Sequence, residues 1–298
     1  MKITRSLAPW LAIAFLAAVL LGCDRNDPVR PDPDPVGTSD LTWQFQGLEP
    51  LGTGYVYEAW LVVGGEPISV GRFNVSSGGS PDLAGAILTP GQIAGAQAFV
   101  VSIEPEVGDD PAPADTKVLG GAFVVGQATL SVGHAAALGD DFSGAAGAFI
   151  LETPTTAAIA GDYNQGIWWL APMDGPGPSL TLATLPAGWA YEGWVVTASG
   201  PQSTGRFTAG AGADSDGAGP DAGSDGAPPF PGQDYISPAL ELVGLTAVVS
   251  VEPQPDDSPM PFALKPLVTP VIADVGAGVL QAMNNNSGAN PSGVARLE

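Results

Sequence analysis

Glu58 and Arg72 are separated by the same number of residues as Glu192 and Arg206, and each Glu stands two residues before a Trp. A carboxylate and a guanidinium on neighbouring strands make a charge-assisted pair, and such a pair is structural unless a ligand takes one partner away. Other reactive side chains are few. His134 is the sole histidine, so neither a multi-histidine metal site nor a repeated histidine-based triad is available. No serine sits in a Gly-x-Ser-x-Gly elbow, and no Gly-x-x-x-x-Gly-Lys run is present to cradle phosphate. Residues 209–232 hold Asp214, Asp216, Asp221 and Asp225 among Gly, Ala, Ser and Pro. Hard carboxylate oxygens suit calcium. Yet Asp214-Ser215-Asp216-Gly217 lacks the further ligand and the closing Glu of an EF-hand loop, and the composition favours a flexible acidic loop. The expectation is a protein that is not an enzyme, with no cofactor and no metal, in which Glu58 with Arg72 and Glu192 with Arg206 form structural ion pairs.

The elements that position these pairs can be read from alternation. In residues 55–62, Val56, Glu58, Trp60 and Val62 share one face of a strand, while Tyr55, Tyr57, Ala59 and Leu61 share the other. Apolar groups on both faces predict a central strand. Gly64-Gly65-Glu66-Pro67 then turns the chain into a strand over 68–75, which predicts a hairpin. Further strands are predicted over 41–45, 99–103, 122–132 and 148–152, with helical turns only near 82–87 or 134–138. The 41 Gly and 30 Pro leave little room for long helices.

The pattern recurs. Tyr57, Trp60, Gly71, Arg72 and Phe73 return as Tyr191, Trp194, Gly205, Arg206 and Phe207 at a constant offset of 134 residues. After an insertion within 209–232, Val100 to Glu104-Pro105 returns as Val248 to Glu252-Pro253 at an offset of 148. One register shared by separated blocks implies two copies of one domain. The predicted fold is all-β: two tandem β-sandwich domains, residues 41–156 and 165–298. Adjacent Trp168 and Trp169 must point to opposite faces of a strand, one toward a core and the other toward the neighbouring domain.

The N-terminus reads as a targeting segment. Lys2 and Arg5 precede an apolar run from Leu7 to Leu20, which ends at Leu20-Leu21-Gly22-Cys23. This order has the form of a lipoprotein leader, 1–22, with Cys23 lipidated and exposed as the new N-terminus. It is the only cysteine, which excludes a disulfide. Residues 23–40, with alternating Pro and Asp, read as a disordered tether. Asp24 follows the lipidated position, where some bacteria read an inner-membrane signal, so which membrane holds the chain stays open. The net charge of −22 repels nucleic acid and anionic headgroups.

These blocks resemble the C-terminal, extracytoplasmic domain of anti-sigma-K factors. The residues carrying the resemblance are Tyr57, Trp60, Gly71, Phe73, Glu104 and Pro105, then Tyr191, Trp194, Gly205, Phe207, Glu252 and Pro253. The resemblance implies a compact β-sandwich in each copy and supplies no catalytic residue. An anti-sigma factor also needs a cytoplasmic sigma-binding segment and a membrane span, which this sequence lacks, so no direct sigma-factor binding is expected. The expected function is that of a binding or sensing module in the cell envelope or periplasm. Its expected partners are the membrane, through Cys23, and an envelope protein or small ligand. The alternatives are a structural envelope lipoprotein without a specific ligand and a hydrolase with a site between the two domains.

Overall fold

Tyr55–Val63 forms a nine-residue strand buried on both faces over most of its length, as its mixed apolar faces require. The computed structural model describes residues 40–156, 161–173, 175–255 and 258–298. The expected leader, Cys23 and the tether up to residue 39 lie outside the described residues. In chain order the first strands are β1 (Leu41–Gln46), β2 (Tyr55–Val63), β3 (Glu66–Phe73), β4 (Gly85–Ala86), β5 (Ala96–Pro105), β6 (Lys117–Val124), β7 (Gln127–Ser131) and β8 (Ala148–Leu151). The span predicted as strand over 122–132 is thus a hairpin of β6 and β7, turned at Val125 and Gly126, both with positive φ. The helical turn falls elsewhere than expected, at α1 (Pro90–Gly95), where Thr89 and Gln92 form a reciprocal capping box.

The chain continues through β9 (Gly166–Trp168), β10 (Leu170–Ala171), β11 (Gly177–Pro178), β12 (Trp189–Thr197), β13 (Gly200–Phe207), β14 (Gly232–Asp234), β15 (Thr246–Pro253), β16 (Leu267–Thr269), β17 (Gln281–Ala282), β18 (Asn284–Asn285) and β19 (Ser292–Leu297). The largest sheet runs β3-β2-β5-β6-β7-β19-β1-β4, and a second runs β13-β12-β15-β16-β18. The order β3-β2-β5-β6 therefore has a counterpart in β13-β12-β15-β16. Registers agree as well: Tyr57 faces Phe73 and Ile103, while Tyr191 faces Phe207 and Val251.

The large sheet folds back over itself. Trp43 of β1 packs against Phe99 of β5 at 5.4 Å between ring centroids, and Phe45 stacks on Phe73 of β3 at 5.3 Å. Aromatic contacts of this kind add about 0.5–1.5 kcal/mol each beyond their burial. Trp169 joins this main core, whereas Trp168 lies in a separate small cluster with Ile150, Leu170 and Phe230. Both rings are buried, on opposite sides of the strand as the pleat dictates.

Four strand pairings cross the boundary expected between 156 and 165: β1–β19, β7–β19, β8–β17 and β8–β9. The C-terminal β19 inserts between β1 and β7 of the first sheet, with Leu297 opposite Leu41 and Ser292 opposite Ser131. β17 pairs with β8. Residues 292–297, expected in the second domain, therefore complete the first sheet, and Thr38–Glu298 makes up one compact unit. Alternation within one strand cannot announce a partner so distant in sequence. Asp40, expected as the end of the tether, is bonded into the fold through Leu88 and Glu298.

Candidate functional site

One face of β3-β2-β5 carries the polar residues, and a bulge sets their arrangement. Glu58 faces Arg72 and Ala59 faces Gly71, but Trp60 faces Ser69, leaving Val70 unpaired. The extra residue reverses the alternation of β3. Ser69 is thereby moved to the face of Glu58 and Trp60, where its hydroxyl donates to Glu58 Oε1. In β12 and β13 the register also shifts, placing Ser203 opposite Trp194, and Ser203 donates to Glu192 Oε1.

The expected ion pairs are brought together with different geometry. Arg206 Nε lies 2.8 Å from Glu192 Oε2, and Arg72 Nε lies 3.4 Å from Glu58 Oε2. In each set the guanidinium reaches Oε2 through Nε while a serine donates to Oε1. The terminal nitrogens of Arg72 instead donate to the carbonyls of Pro105 and Glu106, and one lies 3.6 Å from Asp109 Oδ2.

Beside each pair runs a second chain of bonds. Trp60 Nε1 donates to Ser102 Oγ at 2.7 Å, and Ser102 donates to Glu104 Oε1, which also accepts the Ala114 N–H at 2.9 Å. In the C-terminal set Trp194 donates to Ser250 at 2.7 Å, Ser250 to Glu252, and Phe262 N–H to Glu252 at 2.9 Å. Each strand-end Glu thus fastens the backbone of the loop that follows it. Burial raises the pKa of Glu104 against the lowering effect of the Ser102 and Ala114 bonds, with Asp109 and Glu58 adding to the rise. The motif tyrosines are buried, and each donates to a carbonyl eight residues upstream: Tyr57 to Glu49 at 2.9 Å and Tyr191 to Ala183 at 2.8 Å. Desolvation raises both phenols.

Gly71 and Gly205 share positive φ and near neighbours that leave no room for a Cβ, but the neighbours differ. Leu83 covers Gly71, whereas Asp214 and Asp216 cover Gly205. The acidic loop is bonded along its length: Ser215 to Arg206 through backbone and hydroxyl, Asp214 Oδ2 to Gly232 N–H at 2.8 Å, and Gly223 N–H to Thr155 Oγ1 at 2.8 Å. Among the described residues no three His, Cys, Asp or Glu side chains converge as a metal group. His134 sits in a turn, where Nδ1 accepts the Ala136 N–H at 3.2 Å.

The two Glu-Pro strand ends meet at one cavity of about 230 Å³. Leu51, Tyr55, Pro105, Pro253, Met260 and Phe262 give it an apolar wall, while Glu252 and Ser258 add polar groups. Ala114 and Phe262 stand at equivalent places in the two sets, since both donate to the strand-end Glu and both line this cavity. The cavity escaped prediction because its walls come from loops far apart in sequence. Sequence could at most have indicated that the two Glu-Pro ends do equivalent work.

Residues 34–118 match the family model described as anti-sigma-K factor rskA, C-terminal. The matched span reaches from before β1 into β6. Neither a curated protein nor a solved structure matches the chain. Among the described residues no helix is long and apolar enough to cross a membrane.

Proposed function

We propose that this chain is a lipid-anchored binding module of the cell envelope, made of two tandem copies of a domain like the anti-sigma-K factor C-terminal domain. The membrane partner is engaged through lipidated Cys23, and recognition occurs at the cavity where the Glu-Pro ends of the two copies meet. That convergence carries the proposal: an apolar recess with a few polar groups, held by loops on sheet scaffolds, suits an apolar group of an envelope protein or small ligand. The module performs no reaction of its own.

Ala114→Phe tests the recognition site, because it places in the cavity the side chain that Phe262 already carries at the equivalent position. The full chain is expected to capture an envelope component saturably, and the variant to lose that capture while keeping its fold. Absence of saturable capture, or equal capture by both proteins, would overturn the proposal and favour a purely structural envelope protein. Anchoring has a separate readout: the mature N-terminus should have the mass of a lipidated Cys23 peptide.

A further inference from the structure

Glu58 Oε2 and Asp109 Oδ1 are both buried and neither makes a hydrogen bond. An ionised carboxylate only accepts, so two such oxygens cannot satisfy one another while both groups are charged. Their environment brings them together. Asp109 lies within hydrogen-bonding reach of Glu58, and Arg72 stands between them, 3.4 Å from Glu58 and 3.6 Å from Asp109. One guanidinium on two carboxylates, one buried and one half-buried, leaves a negative charge over. A single proton added to either oxygen makes it a donor to the other and removes both unsatisfied acceptors at once.

We infer that Glu58 and Asp109 share one proton, and that this acid pair latches the segment after β5 over the polar face of the sheet. The same segment carries the carbonyls of Pro105 and Glu106 held by Arg72, and Pro105, Ala114 and Thr116 at the cavity wall. The latch therefore governs the rim of that cavity, a consequence that rests on the function proposed above; the shared proton does not. The groups facing the pair are Ser69 and Arg72 from β3 and Glu104 from β5. Burial is the main cause raising the Glu58 pKa; Ser69 and Arg72 lower it, and Asp109 raises it.

The experiment is a carboxyl-carbon NMR titration of the full chain, with hydrogen exchange of the 105–116 amides followed across the same pH range. The pair should titrate in two steps, one of them above the ordinary carboxylate range. Corrected amide protection should fall as the upper step is passed, because a group whose pKa is raised by folding loses its contribution as pH rises through the folded value. Asp109→Asn, whose amide can donate to Glu58, should move the upper step to lower pH and weaken the pH dependence of protection. Ordinary titration of both carboxyls in the unsubstituted chain would overturn the inference without recourse to any variant. An upper step left unmoved in folded Asp109→Asn would overturn it too. These outcomes leave the capture experiment untouched, and a failed capture experiment leaves the shared proton standing.

Discussion

Replacing Ser102 with Ala tests the physics of the buried bond chain most directly. Ser102 is wholly buried and works in both directions, accepting from Trp60 Nε1 at 2.7 Å and donating to Glu104. Alanine strands the indole N–H, at a cost of about 1–3 kcal/mol. It also removes one of the bonds to Glu104, whose Ala114 N–H partner remains, so a loss of about 2–4 kcal/mol in all is expected. For a unit of this size that is a fall in Tm on the order of 10 °C. The pH dependence has a definite sign. The Ser102 bond lowers the Glu104 pKa, so its loss raises that pKa further above the unfolded value. Stability is then fully present below the unfolded pKa and lost as pH rises through the folded one. The penalty should accordingly be larger near neutrality than near the usual Glu value of about 4.3. Thermal unfolding followed by near-UV dichroism measures it. In a Trp60→Phe background, where no indole N–H is left to strand, the same replacement should cost about 1–2 kcal/mol less. A change within about 0.5 kcal/mol, typical of surface substitutions, or an undiminished cost in that background, would refute the reasoning.

Asp214→Asn should flatten part of the stability profile. Burial, opposed by the Gly232 N–H bond and aided by Asp216, pushes Asp214 up to about 7. Its contribution is present at lower pH and lost as pH rises through that value, so urea unfolding free energies of the variant should decline less between mildly acidic and mildly alkaline pH; an identical slope would count against the assignment. Truncation after Pro291 removes β19 and bares the facing edges of β1 and β7. The shortened chain should aggregate or lose its cooperative transition in size-exclusion and thermal unfolding experiments, and a monomer with unchanged Tm would show that the strand is dispensable.

What was legible in the sequence follows from how local each signal is. Alternation in Tyr55 to Val62 is a property of one strand, and the structure places that strand centrally as the pattern implies. The meeting of Glu58 with Arg72 needed only a hairpin, whose turn residues were visible. The serines were missed although their signal was present: Ser69 and Ser203 recur at one offset, Ser102 and Ser250 at the other. Their role depends on a bulge that reverses a face, which binary alternation does not encode. Thr89-Pro90-Gly91-Gln92 likewise has the form of a capping box, passed over when helical turns were expected only near 82–87 or 134–138. Asp109 carried no local mark at all, because a loop brings it to Glu58. Nor did β19, whose pairing with β1 is decided by the whole chain between them.

That last strand also fixes when the first sheet can be finished. Thr42 and Glu298, joined by a hydrogen bond, stand 256 residues apart, so the place between β1 and β7 is filled only after every other element has been made. Closing so long a loop costs entropy before the new contacts repay it, which makes the step slow. Until β19 arrives, β1 and β7 each keep an open flank, and a product cut short before Ser292 displays those flanks to any protease it meets.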